Sequence, residues 1–200
     1  MSNQITNRTI FGHCISKVHC YDESLYRSTE ILENLERIFN SLDESKILEN
    51  QIGRGVSTFN YPQHRMLDIN GIEPLKKWMT ERILEVADFY GHPGASTIEV
   101  YRSFANKMWP GSSGNIHAHG KEGHGVALFY FQQPKNGSDL VLVNNSFTGD
   151  TLDNHPAEDL YYMNVTQGDL VIHDTTLPHG VSLHKGDSPR IVLVFEYIYV

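Results

Sequence analysis

Two histidines separated by one residue, His117 and His119, give the clearest chemical signal in the sequence. If this segment is extended, residues two apart point to the same side of the strand, so both imidazoles face one way. Such a pair can chelate Fe, Zn, Cu or Ni, but a complete site needs a third protein ligand. His179 is the best candidate, because it follows a strand opened by Gly168-Asp169 and because Pro178 fixes the backbone just before it. The sequence therefore predicts one transition-metal ion bound by these three histidines.

A second chemical signal is Arg190, eleven residues after His179. It follows the turn formers of Gly186–Pro189 and begins a strand in which Arg190, Val192 and Val194 share one face. A guanidinium among apolar side chains needs an anionic partner, because an unpaired buried charge is costly. The Asp and Glu residues of the chain offer no obvious partner on the adjoining strands, so we expect a ligand carboxylate to pair with Arg190.

The other histidines are expected to have no part in the chemistry. Four of them are predicted to be surface or hydrogen-bonded residues, namely His124, His155, His173 and His184. Four more lie outside the β-rich part of the sequence, namely His13, His19, His64 and His92. Aromatic residues near the expected mouth of the site either line a pocket or pack in the core, and these are Tyr101, Phe104, Trp109 and Tyr130.

Composition limits the classes of partner. The chain has 200 residues and a net charge of −8, with no run of basic residues, which argues against duplex DNA or an anionic membrane as the main partner. The length suits a single domain, 1–200. Two cysteines, Cys14 and Cys20, form no disulfide framework and indicate reduced thiols. Without a visible signal peptide or an apolar stretch of membrane-spanning length, we expect a soluble, cytoplasmic protein.

The periodicity of the chain changes near residue 94. Before it, one helix is predicted to begin near Asp22 and another after Gly71, with Pro74 in its first turn and Gly91 at its end. After it, short runs rich in Val, Ile, Tyr and Phe alternate with turn formers, which is typical of a sandwich or barrel. Residues 1–93 are therefore expected to be mainly helical support for a jelly-roll core at 94–200, and Gly111–Gly125 is expected to be a mobile loop. The predicted strands are Thr97–Ser103, Val126–Gln132, Leu140–Val143, Leu160–Val165, Asp169–His173 and Arg190–Val200.

From Val100 to the C-terminus the sequence resembles the 2-oxoglutarate (2OG)/iron(II) oxygenase family, whose fold is the jelly roll or double-stranded β-helix. The most specific element of the resemblance is the spacing from the distal histidine to the arginine. The motifs that carry it are Tyr101-Arg102, His117-x-His119, Val126–Tyr130 with Pro134 and Gly137, Gly168–Val171, Pro178–Val181, and Ser188–Ile191 closing into Phe195.

The resemblance implies cofactors and roles for particular residues. His117 would be the first iron ligand and His179 the distal one. Arg190 and Tyr130 would bind 2OG, and Arg190 would pair with its distal carboxylate. The implied activity is oxidation, expected to be hydroxylation, of an unactivated C–H bond in a small molecule or peptide. O2 is the oxidant, and succinate and CO2 are the co-products.

The sequence departs from the usual pattern of these oxygenases at two positions. Most have a carboxylate two residues after the first histidine, where this chain has His119, and many have a hydroxyl where it has Val192. Iron would then be held by three histidines, or by two with an outside carboxylate such as Glu122 or Asp174. We prefer His119, because its same-face geometry needs no rearrangement.

Two other readings of the same motifs stay open. A cupin shares the jelly roll and the two histidine motifs, and Glu122 lies close to the position of its usual glutamate; it would act as a metal dioxygenase or isomerase without 2OG. A non-enzymatic metal- or ligand-binding jelly roll is the other, since one fold serves many functions. Arg190 favours the oxygenase. Substrate identity and oligomeric state are not indicated.

Overall fold

The computed structural model describes residues 4–43, 51–144, 152 and 156–200, and these form two antiparallel sheets with two α-helices. His155, predicted to be a surface or hydrogen-bonded residue, lies outside the described residues. The helices are α1 (Thr29–Ser41) and α2 (Glu73–Glu85). The strands are β1 (Thr6–Ile10), β2 (His13–His19), β3 (Gln51–Ile52), β4 (Gly55–Ser57), β5 (Ile98–Met108), β6 (Ser113–His117), β7 (Gly125–Gln132), β8 (Leu140–Val143), β9 (Leu160–Met163), β10 (Asp169–His173), β11 (His179–Val181) and β12 (Arg190–Tyr199).

The larger sheet has seven strands in the order β1-β2-β10-β7-β12-β5-β4, and the smaller has five in the order β3-β6-β11-β8-β9. Strands that are distant in sequence are neighbours in both sheets, and every pairing is antiparallel. This is the predicted double-stranded β-helix, and the fold class is confirmed.

Alternation along β7 and β12 separates two hydrophobic cores. On β7, Phe129 and its alternate neighbours pack against the two helices, whereas Leu128 and Tyr130 point between the sheets. On β12, Leu193 and Phe195 face the helices, whereas Val192 and Val194 face the interior. Because successive side chains in a strand point to opposite faces, one central strand serves both cores. The interior face of β12 is the one that begins with Arg190.

The first helix begins later than predicted, and the second ends earlier. The chain near Asp22 forms only a 3-10 turn, Glu23–Leu25, and α1 begins later because the Ser28 hydroxyl accepts the N–H of Ile31. Helix α2 contains Pro74 in its first turn as predicted, but it ends at Glu85. A separate 3-10 turn then leads to Gly91, which has a φ of +79°. Among the described residues, no helix combines the length and apolarity needed to cross a membrane.

The region before residue 94 also contributes four strands, where the sequence pattern predicted two helices and at most one short strand, within Gly53–Asn70. β2 pairs with β10 and lies second from the edge of the larger sheet, and β1 is the edge strand. β3 and β4 extend one sheet each. The prediction that residues 1–93 are mainly helical support is therefore correct for only part of this region. That the chain is one domain stays a prediction.

Candidate active site

The structure brings His117, His119 and His179 together. His117 ends β6 and His179 begins β11, and the two residues are directly paired across these strands. His119 lies just beyond β6, where its backbone N–H donates to the Thr175 carbonyl at 2.9 Å. One ring nitrogen of each histidine lies within 4.8 Å of those of the other two. The segment Gly111–Gly125, predicted to be a mobile loop, therefore contains the paired strand β6. This segment carries two of the three histidines, His117 and His119.

Each of the three imidazoles has an acceptor at Nδ1. The Nδ1–H of His117 donates to the Asn115 carbonyl at 3.1 Å, and that of His179 donates to the Leu177 carbonyl at 2.9 Å. His119 Nδ1 lies 2.7 Å from Oε1 of Glu196. A donor at Nδ1 leaves Nε2 with a free lone pair. The Nε2 atoms of His119 and His179 are 3.3 Å apart, close to the roughly 3 Å that separates two nitrogens bound about 2.1 Å from one ion at right angles.

Burial keeps the imidazoles of His117 and His179 neutral. It lowers the pKa of His117 to about 4 and holds the pKa of His179 well below its usual range, and neighbouring histidines lower that of His179 further. A neutral imidazole is the form that binds a metal, so no proton has to leave these two residues at neutral pH.

Arg190 lies inside the barrel, as its position on β12 predicted, and only 3% of it is exposed. Its guanidinium is 5.2 Å from the centre of the Tyr130 ring, and Nη1 lies 3.6 Å from the Met108 sulfur. Its Nε has no hydrogen-bond partner, and no carboxylate of the described residues forms an ion pair with it. Burial lowers the pKa of Arg190 and raises that of Tyr130 to about 12. A buried cation with unused donors fits an anionic ligand.

A cavity of about 800 Å³ joins these two groups. The three histidines and Arg190 all line it, together with Arg102 and Glu196. Three imidazoles with ring nitrogens close together, and an unpaired guanidinium in the same cavity, fit a metal ion with an acidic co-ligand. Most of the remaining wall is apolar; it includes Phe59, Phe104, Leu128, Leu140, Val192 and Val194.

The two carboxylates considered as alternative ligands lie elsewhere. Glu122 is exposed, and Asp174 pairs with His13 Nδ1 at 2.9 Å while its other oxygen accepts from Thr176. Neither belongs to the histidine cluster found among the described residues. Of the aromatic residues considered, Phe104 lines the cavity, whereas Trp109 stacks under Arg54.

Comparison with known proteins points to an oxygenase family. Residues 102–196, which include all three histidines and Arg190, match the family model described as "Putative 2OG-Fe(II) oxygenase". The chain is similar to this family over just under half of its length. Its cofactors are accordingly Fe(II) and 2OG, and the enzyme is an oxidoreductase, so the cupin and sensor readings are set aside. No curated protein matches the sequence of this oxygenase.

Solved structures agree with the fold of the oxygenase. A prolyl-4-hydroxylase from Pseudomonas putida superposes with a TM-score of 0.59 at 14% identity, covering 94% of both chains. HygX from Streptomyces hygroscopicus, solved with nickel and 2-oxoglutarate bound, gives 0.54 at 15% identity over 93% of this chain and 83% of its own. The carbocyclase SnoK of nogalamycin biosynthesis gives 0.57 at 13% identity over 92% and 79%. At these identities the likeness concerns the fold alone.

The structure adds three residues to the site of the oxygenase that were not predicted. Glu196 contacts His119, and Arg102 contacts Glu196 at 3.1 Å. His173, predicted to be a surface or hydrogen-bonded residue, is hydrogen-bonded, because its Nδ1–H donates to the Asp174 carbonyl. It is also fully buried, and its ring lies 4.6 Å from that of His179. Burial lowers the pKa of His173 to about 3. Of these, Glu196 had a visible signal, because it continues the alternation Arg190, Val192, Val194 by one step.

Proposed function

We propose that this oxygenase oxidises an unactivated C–H bond of a small molecule or peptide, and that the product is the alcohol. His117, His119 and His179 would hold Fe(II) through Nε2, and Arg190 would hold the distal carboxylate of 2OG. With both bound, the centre supplies the oxidation: 2OG and O2 give succinate and CO2, and one oxygen atom enters the C–H bond. The observation that carries the proposal is the single cavity lined by both the histidine cluster and the unpaired Arg190.

The residues of the chain have separate tasks in this proposal. Arg190 binds the co-substrate by its forked donors, and the Tyr130 ring below it holds the guanidinium in place. The carbonyls of Asn115 and Leu177 orient two imidazoles through Nδ1. The apolar wall keeps water from the reacting atoms.

The substrate would occupy the part of the cavity between β5 and the segment that follows β4. A volume of about 800 Å³ lies within the range of sites for drug-sized ligands, so it leaves room beside a five-carbon diacid. Phe59 and Asn60 line this part, and the Phe59 ring packs edge-on against Phe104 at 5.1 Å. A hydrophobic or aromatic group with a polar end suits these walls. The P. putida prolyl-4-hydroxylase, similar in fold, makes peptides a reasonable class to test beside small molecules.

The proposal predicts that the protein forms succinate only when Fe(II), 2OG and O2 are all supplied. Purified protein supplied with Fe(II), 2OG and O2 is screened against small molecules and short peptides, and succinate and a product 16 mass units heavier are measured by mass spectrometry. We expect the two in equal amounts with an accepted substrate, and neither when Fe(II), 2OG or O2 is left out. An oxidised product that forms equally well without 2OG would contradict the proposal.

A further inference from the structure

Glu196 is a fully buried carboxylate at the edge of the candidate metal centre. Its Oε1 lies 2.7 Å from Nδ1 of His119, and its Oε2 accepts from Nη1 of Arg102 at 3.1 Å. Both oxygens are therefore engaged, one toward the histidine cluster and one toward a cation at the cavity wall. A buried carboxylate needs such partners, because an unpaired charge inside a protein is costly.

His119 differs from the other two histidines in the group that its Nδ1 contacts. His117 and His179 use the backbone carbonyls of their own strand segments, two residues before each of them. His119 instead uses the side chain of a distant strand, β12, 77 positions away. A carboxylate accepts a stronger hydrogen bond than a carbonyl and brings a negative charge with it. His119 is also the residue that stands where most related oxygenases have a carboxylate ligand.

We propose that Glu196 is a positioning residue of the metal centre. It holds His119 in the Nδ1–H form, directs the Nε2 lone pair to the ion, and supplies through the imidazole the negative charge that a carboxylate at position 119 would supply directly. Histidine ligands commonly donate their second N–H to a carboxylate, and this partner raises the basicity of the ligand. The inference rests on the proposed function, because it needs the three-histidine metal site.

Arg102 fixes the carboxylate in this orientation. It is half exposed, and its guanidinium lies 5.1 Å from the centre of the Phe59 ring. Glu196 could serve only as the structural partner of Arg102, or it could also position His119. Only the second role affects how tightly the three histidines bind a metal, so metal affinity distinguishes the two. The chain also offers a matched control. Asp169 is 2% exposed and pairs with His19 Nδ1 at 2.9 Å, and neither residue belongs to the metal cluster.

The test is a calorimetric Co(II) titration of metal-free wild type, Glu196→Gln, Glu196→Ala and Asp169→Asn. Gln keeps the shape of the side chain and removes its charge. We expect the Kd for Co(II) to rise about tenfold or more in Glu196→Gln and further in Glu196→Ala. The visible bands of bound Co(II) should shift in both, since the donor strength of one ligand changes. Asp169→Asn should bind Co(II) within about twofold of wild type, whatever its effect on stability.

Two outcomes separate the claims. If wild type binds no Co(II), the metal site and the role of Glu196 both fall. If wild type binds one Co(II) and Glu196→Gln matches it in affinity and spectrum, the role of Glu196 is overturned and the proposed function stands. A second measurement needs no variant: in 15N-histidine-labelled wild type loaded with Zn(II), the NMR spectrum should show His119 protonated at Nδ1. Zinc bound through Nδ1 of His119 would overturn the inference.

Discussion

Replacing either His117 or His179 with Ala should abolish stoichiometric binding of Fe(II). These residues face each other across β6 and β11, and each would contribute one of only three protein ligands. With two imidazoles left, the site loses a third of its donor set and the chelate geometry that selects a transition metal. Anaerobic Fe(II) titration followed by elemental analysis of the desalted protein measures the effect. Retention of full occupancy and affinity in either variant would show that the ligand set is wrong.

The control for this experiment is another buried histidine. His184 is 1% exposed and bonds through Nε2 to the Ser188 carbonyl, outside the cluster formed by the described residues. His184→Ala should lose stability but keep one Fe(II) per chain. Circular dichroism of all three variants shows whether loss of metal reflects loss of fold.

Substitution of Arg190 should weaken 2OG binding while leaving Fe(II) bound. Arg190→Met should raise the 2OG concentration needed for half-saturation by roughly tenfold or more, the scale of a charge-assisted hydrogen bond worth about 1.5–3 kcal/mol. Arg190→Lys should also lose much of the affinity, because a point charge cannot reproduce the forked donors. Anaerobic titration of the Fe(II) protein with 2OG, followed by visible absorbance, measures both variants.

Arg54 provides the matched control, because its guanidinium also lies over an aromatic ring, 4.4 Å from the centre of that of Trp109, but does not line the cavity. Arg54→Met should titrate like wild type. If Arg190→Met does so too, while wild type binds 2OG and forms succinate, another cation must hold the co-substrate.

Strands β7, β8, β10 and β12 were predictable from the sequence because they are apolar on both faces and bounded by turns. β8 and β10 have the predicted bounds, Leu140–Val143 and Asp169–His173, and β12 differs by one residue. Strands buried between helices and a second sheet read as continuous apolar runs, which periodicity detects easily.

The strands that were missed carry little of that signal. β1 is mostly exposed, with the sequence Thr-Asn-Arg-Thr-Ile, and its identity as a strand comes from pairing with β2. β6 contains small and polar residues and depends on pairing with β3 and β11. In both cases tertiary contacts determine the strand, and local propensity does not.

The candidate site shows the same division. Two-residue alternation indicated that the side chain of Arg190 faces the interior, and the structure places it there. Glu196 was not predicted, although one further step of the same alternation reaches it, and it lines the cavity. The contact between Glu196 and His119 could not be predicted from residue spacing. It joins β12 to a segment 77 positions earlier, just beyond β6.

The most direct test of the central claim is a crystal structure after anaerobic soaking with Fe(II) and 2OG. The account predicts one anomalous iron peak bonded to Nε2 of His117, His119 and His179, with 2OG on the same ion and its distal carboxylate paired with Arg190. Iron bound by any other set of residues, or 2OG with its distal carboxylate away from Arg190, would contradict it.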